Sequence, residues 1–278
     1  MEKIFSSIVS FLFSTFTVFN VANLPQNEDM ANIESLEQFN FNQVIDIEDI
    51  NIQTDLQPEK VQTSIITSSP SAASNWWEYP DDIKSVIRNG NDLLVLVNKE
   101  YKLPSTYAPS DLVKVGDSVI RRGDKYYLRS IVINDLKSLV SDAKNDDIDL
   151  SIVSAYRSYS TQASTYQYWV NYNNGCVACA DKISARAGHS QHQLGTTLDF
   201  SSNEVSDELG IRFADTKASD WLAKNAYKYG FVISFPQGYE SVTGYSYEAW
   251  HYRYIGRTNA LEMKNSGMIL EKYLQSKN

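Results

Sequence analysis

Two short segments in the last third of the chain hold the residue types that a catalytic zinc ion needs. Ser190-Gln191-His192-Gln193-Leu194-Gly195-Thr196-Thr197-Leu198-Asp199 offers an imidazole and a carboxylate. Glu248-Ala249-Trp250-His251-Tyr252-Arg253-Tyr254 offers a second imidazole and a second carboxylate. A catalytic zinc takes three protein ligands from His, Asp, Glu or Cys and keeps a fourth position for water. It also needs, beside that water, a base that is not itself a ligand. The segments can supply both, as ligands and as a carboxylate three residues before the last histidine. Only three histidines occur in 278 residues, and two of them fall here.

Each residue alone has a plainer reading: a surface histidine for His192, a turn aspartate for Asp199, a hydrogen-bonded core histidine for His251. The context weighs against these. Gly195, between His192 and Asp199, lets the backbone bend so that a loop residue and a strand residue converge. Asp199 stands between Leu198 and Phe200, where a carboxylate costs several kcal/mol unless it is paired or bound to a cation. His251 lies in an alternating run, with Arg253 and Ile255 facing one way and Trp250, Tyr252 and Tyr254 the other. A Ser190/His192/Asp199 triad fails on two counts. Ser190 is not in a Gly-x-Ser-x-Gly elbow, and Glu248 and His251 would have no role.

The elements that must position these groups are readable in outline. Ile131, Leu136, Leu139, Val140 and Ala143 fall at helical spacing over residues 131–145. Asn145-Asp146-Asp147 turns the chain, and residues 150–155 read as a strand delivering Tyr156-Arg157-Ser158. Helices are expected over 161–172 and 221–229, the latter closed by Gly230 where a left-handed cap belongs. Residues 231–235 and 251–255 read as strands, and Leu93–Val97 as a short apolar run leading into extended loops. There is no βαβ rhythm and no internal repeat, so the class is α+β with a small sheet.

Charge divides the chain. Residues 24–60 hold nine acids against one base, whereas residues 61–278 hold 24 acids against 23 bases. A clustered basic face is missing, which argues against nucleic acid as a partner. Residues 4–22 carry no charge and are long enough to cross a bilayer or to serve as a secretory leader. The expected layout is therefore a signal peptide or membrane anchor over 1–23, an acidic, Asn/Gln-rich tether over 24–75, and a folded domain over 76–278. No second cysteine pair exists to complete a structural zinc site, so Cys176 and Cys179 are read either as a local disulfide, as suits an exported chain, or as two idle thiols.

Taken together, these segments resemble the VanY-type D-alanyl-D-alanine carboxypeptidases, zinc peptidases of bacterial cell-wall peptides. The family pattern Ser-x-His-x-x-Gly-x-Ala-x-Asp falls on Ser190, His192, Gly195, Thr197 and Asp199, and Glu-Pro-Trp-His falls on Glu248, Ala249, Trp250 and His251. Ser154-Ala155-Tyr156-Arg157-Ser158 is similar to the family's Ser-Gly-Tyr-Arg-Ser, with Gln162 downstream. Ala249 for Pro, Thr197 for Ala and Ala155 for Gly depart from the pattern, and none removes a ligand or the base.

The resemblance, which spans roughly residues 90–260, implies a helix-flanked small antiparallel sheet of the Hedgehog/D,D-peptidase type. It implies one zinc on His192, Asp199 and His251, with Glu248 as general base. Arg157 becomes the clamp for a substrate carboxylate, with Ser190 and Gln162 on the substrate side. His189 has no ligand counterpart and is expected at the surface. The implied activity is zinc-dependent D,D-carboxypeptidase action, removing the terminal D-alanine of peptidoglycan stem peptides. Alternatives on the same fold are an L,D-carboxypeptidase, a D,D-dipeptidase, a peptidoglycan endopeptidase, or a non-catalytic wall-binding domain.

Overall fold

A computed structural model describes residues 75–278. The expectations of a leader or anchor over 1–23 and a tether over 24–75 fall, except for Asn75, outside the described residues. In chain order the strands are β1 (Lys84–Ser85), β2 (Tyr101–Lys102), β3 (Leu112–Lys114), β4 (Tyr127–Arg129), β5 (Ser151–Ser154), β6 (Thr197–Ser201), β7 (Phe231–Ile233) and β8 (His251–Tyr254). The helices are α1 (Ser130–Asn145), α2 (Tyr159–Tyr172), α3 (Val177–Ile183), α4 (Lys217–Asn225), α5 (Glu240–Thr243), α6 (Arg257–Ser266) and α7 (Leu270–Gln275). Short 3-10 turns fill several of the connections.

Strands β5 to β8 form one antiparallel sheet in the order β5-β6-β8-β7. All residues of the central strands β6 and β8 are buried, so both faces of the sheet are covered. On one face Leu198, Phe200, Tyr252 and Tyr254 pack against α1 through Val132, Leu136, Leu139 and Ala143. Those four helical positions make one stripe, which is why the periodicity predicts this helix. A second cluster joins Val232 and Ile255 to Leu270, Tyr273 and Leu274 of α7. The alternation expected along β8 is therefore realised, with aromatics to the main core and Ile255 to the second. Arg253, on the His251 side, is fully buried and donates to the carbonyls of Leu93 and Val95 at 3.0 and 2.6 Å. The Leu93–Val97 run, expected to lead into extended loops, is a loop segment that receives a guanidinium.

Local signals explain the element ends. Ser158 Oγ accepts from the backbone N–H of Thr161 to start α2, and Thr216 Oγ1 accepts from that of Ser219 to start α4. Helix α4 therefore begins four residues before the expected Trp221, because the cap rather than the first aromatic sets its start. Gly230 closes the turn after α4 at φ 88°. A Cβ there would lie 2.7 Å from the Tyr254 ring and 2.9 Å from the Arg257 nitrogen, so glycine is required sterically as well as conformationally. Cys176 and Cys179 form a disulfide at the start of α3, the first of the two alternatives the sequence left open.

Candidate metal centre and cleft

The register of the sheet brings the site together. Asp199 of β6 is the direct cross-strand partner of His251 of β8. His192 arrives from the 3-10 turn Gln191–Leu194 that precedes β6, with Ser190 Oγ accepting from the His192 backbone N–H at 3.3 Å. Gly195, at φ 66°, reverses the chain between that turn and the strand; a Cβ on it would lie 2.9 Å from Leu112 Cδ2. The ladder between β5 and β6 shifts register between Ile152 and Ser154, which sets Ser154 opposite Asp199 and aims the following segment at the cleft.

His192 Nε2 is 3.3 Å from Asp199 Oδ2, and His251 Nδ1 is 3.1 Å from Asp199 Oδ1. One donor atom from each of the three buried residues lies within 4.8 Å of the other two. Ligand atoms about 2.0–2.2 Å from a tetrahedral ion stand about 3.3 Å from one another, so the spacing fits zinc. His192 Nδ1 is 2.6 Å from the Ala155 carbonyl, which takes its proton and leaves Nε2 free to face the centre. Asp199 Oδ1 is buried and accepts no hydrogen bond, although an imidazole nitrogen is 3.1 Å away. An orphaned carboxylate oxygen between two imidazoles is what a cation site leaves behind.

Electrostatics agree. Burial pushes the His192 imidazole down to about 4, so the ring is neutral near neutral pH and its lone pair is available. Burial works to raise Asp199, yet ring N–H groups of His192 and His251, whenever they face it in the metal-free site, hold its carboxyl below the usual carboxylate range. Glu248 goes the other way. Burial and the neighbouring Asp199 charge raise it well above its ordinary value, with Arg157 opposing. Its Oε2 is 3.3 Å from His251 Nδ1, beside the cluster.

These groups open onto one cavity of about 410 Å³, which Arg157, Gln162 and Ser190 also line. Trp169, Phe235, Tyr245, Tyr247 and Trp250 give it an aromatic wall. Every site residue expected from the sequence is thus in one cleft. Gln162 stands there by way of Arg157: its Oε1 accepts from Arg157 Nη1 at 2.7 Å and its Nε2 donates to the Ala185 carbonyl at 2.6 Å. Ser154 Oγ accepts from Arg157 Nη2 at 3.0 Å, a support that no residue-type signal announced. The expectation of a surface position for His189 is wrong. It is buried, its Nδ1 is 2.8 Å from the Asn98 carbonyl, and its ring packs edge-on against Tyr79. Partners this distant in the chain leave no local trace in the sequence.

His192 from a 3-10 turn, Asp199 and His251 from adjacent strands, and a largely buried glutamate alongside make the kind of site a zinc hydrolase uses. The profile of the VanY family, described as D-alanyl-D-alanine carboxypeptidase, matches residues 125–257. YodJ of Bacillus subtilis (strain 168), a protein assigned as a carboxypeptidase, is 38% identical over 205 residues, covering 71% of this chain and 74% of its own. The chain belongs to the VanY family of D-alanyl-D-alanine carboxypeptidases. Among solved structures, the LdcB LD-carboxypeptidase superposes with a TM-score of 0.64 at 34% identity, covering 73% of this chain and 97% of that one. A vancomycin-resistance D,D-pentapeptidase VanY in complex with Zn(II) superposes at 0.56 with 26% identity, covering 65% of this chain and 98% of that one. The fold expected from the resemblance is therefore the fold observed.

Proposed function

We propose that this chain is a zinc-dependent D,D-carboxypeptidase that removes the terminal D-alanine from peptidoglycan stem peptides, with His192, Asp199 and His251 as metal ligands. The observation that carries the reading is the Asp199 carboxylate set between two imidazoles with its Oδ1 orphaned, in a cleft that also holds a cation, Arg157. Zinc held there supplies Lewis-acid polarisation of the scissile carbonyl and acidifies a water. Glu248 takes the proton of the attacking water and delivers it to the leaving amine nitrogen. Burial suits it to hold that proton between the two steps. Arg157, kept in place by Gln162 and Ser154, presents its planar guanidinium to the free terminal carboxylate. Ser190 Oγ already accepts from a backbone N–H, so its own proton is free for the same carboxylate. The aromatic wall limits water around the reacting bond.

A second reading, L,D-carboxypeptidase action, is favoured by the 34% identity to an LD-carboxypeptidase. Both readings release D-alanine from a free terminus and differ in the residue before the cut. The experiment offers pentapeptide and tetrapeptide stems to zinc-loaded protein and identifies the products by mass spectrometry. D-alanine released from the pentapeptide alone supports the first reading, and release from the tetrapeptide alone supports the second. Internal cleavage, or none, sinks both. Such a substrate lies outside the cell membrane, which agrees with residues 1–23 serving as a leader or anchor, 24–75 as a tether and 76–278 as the catalytic domain.

A further inference from the structure

His251 directs Nδ1 toward Asp199 and Glu248, at 3.1 and 3.3 Å. If Nδ1 is the atom that meets the metal, the ring proton must reside on Nε2. That nitrogen is 3.4 Å from Gln191 Oε1, and the same oxygen is 2.7 Å from Ser234 Oγ. Gln191, Ser234 and His251 are all buried. Ser234 is itself tied to the strand, its backbone N–H donating to the His251 carbonyl at 3.2 Å. Two donors, the Ser234 hydroxyl and the His251 Nε2–H, therefore converge on one amide oxygen. With the ring proton on Nε2, the end of the Gln191 side chain facing His251 is the carbonyl.

The two imidazoles of the site are thus oriented by different means. His192 is held by the Ala155 backbone carbonyl at 2.6 Å, an acceptor that no side-chain change removes. His251 is held by a side chain. We infer that Gln191 is a positioning residue for the metal, fixing His251 as its Nε2–H tautomer so that Nδ1 is offered to the ion. The inference rests on the ligand assignment proposed above. Hydrogen bonds of this kind set ring orientation and ligand basicity, and losing one costs about 10- to 100-fold in metal affinity. Ser234, which donates to the same oxygen, holds the amide in place.

The test is zinc affinity by competition with a chromophoric chelator, on the full chain and four variants. Gln191→Leu removes the acceptor, and Gln191→Asn draws it back by one methylene while keeping the position polar. Both are expected to bind zinc about 10- to 100-fold more weakly. Gln191→Glu keeps an oxygen at the same reach and should bind at least as tightly as the parent. A purely structural role would not produce that ordering. Nitrogen NMR of the zinc-free protein reads the second quantity: His251 should be the Nε2–H form in the parent and in Gln191→Glu, and a mixture of tautomers in Gln191→Asn. Parent-like affinity in Gln191→Asn, with the tautomer unchanged, overturns the inference while leaving the ligands intact. Parent-like affinity in the fourth variant, His251→Ala, overturns the ligand assignment and the inference with it.

Discussion

Two buried polar clusters flank the cleft, and they differ in how completely their charges are answered. Around Asp181, no buried side-chain nitrogen or oxygen among the described residues is left without a partner. Asp181 Oδ1 accepts from the Tyr166 hydroxyl at 2.8 Å and Arg186 Nε at 3.0 Å, and Oδ2 accepts from Arg186 Nη2 at 2.7 Å. Its backbone carbonyl accepts from Lys99 Nζ at 2.7 Å, and that ammonium lies 4.2 Å from the ring centroids of both Tyr79 and Tyr245. His189 packs at the edge of this group against Tyr79. Around Asp199, by contrast, one carboxylate oxygen is orphaned, the nearby glutamate is driven toward its protonated form and the His192 imidazole is held neutral by burial. Closed polar networks hold a fold together, whereas open valence on clustered metal-ligating groups that line a cavity marks a place where a cation belongs. A buried histidine is informative only once its partners are known.

The largest effect is expected at Glu248, which belongs to the open cluster but not to the proposed ligand set. Glu248→Ala should retain zinc and fold while losing about 10²- to 10⁴-fold in kcat. Parent-like turnover in the zinc-loaded variant removes Glu248 from the mechanism. A smaller effect is expected at Arg157. Amidating the terminal D-alanine of a stem peptide should lower kcat/KM by about 10- to 100-fold, since a charge-assisted hydrogen bond is worth roughly 1.5–3 kcal/mol. That penalty should largely vanish in Arg157→Ala. Equal cleavage of the amidated and free peptides by the parent would point to an endopeptidase.

The smallest effect belongs to the closed cluster. Burial pushes Lys99 down to about 7, against an ordinary value of 10.5. Between these values the unfolded chain binds more protons at this position than the folded one, so the group's contribution to stability rises with pH. Denaturant titrations at pH 7 and pH 9 should show a parent-minus-Lys99→Met stability difference that grows by about 1–2 kcal/mol, with zinc content the same in both proteins. A flat difference would contradict the assignment of Lys99 as a buried, proton-averse group.

Much of the site was legible in the sequence because its chemistry is carried by local patterns. His192 to Asp199 and Glu248 to His251 are each short, and the apolar neighbours of Asp199 signal burial by themselves. The α1 stripe and the alternation along β8 are periodic, and periodicity survives without a fold. What escaped depends on register and on partners far away in the chain. Nothing local says that Asp199 pairs with His251 across β6 and β8, or that Asn98 closes over His189 from 91 residues away. Gln162 and Gln191 are unremarkable in type; only the side chains they meet, Arg157 and His251, give them work. The start of α4 was readable in principle, since Thr216 is a good cap, but the aromatic at Trp221 is the louder signal.

Which histidines hold the metal is decided by the zinc content of two single variants. His251→Ala, in the open cluster, should retain little or no zinc after dialysis against metal-free buffer. His189→Ala, in the closed one, should retain about one zinc per chain. Full zinc in His251→Ala, or loss of zinc from a folded His189→Ala, would contradict the division between the two clusters and the ligand set built on it.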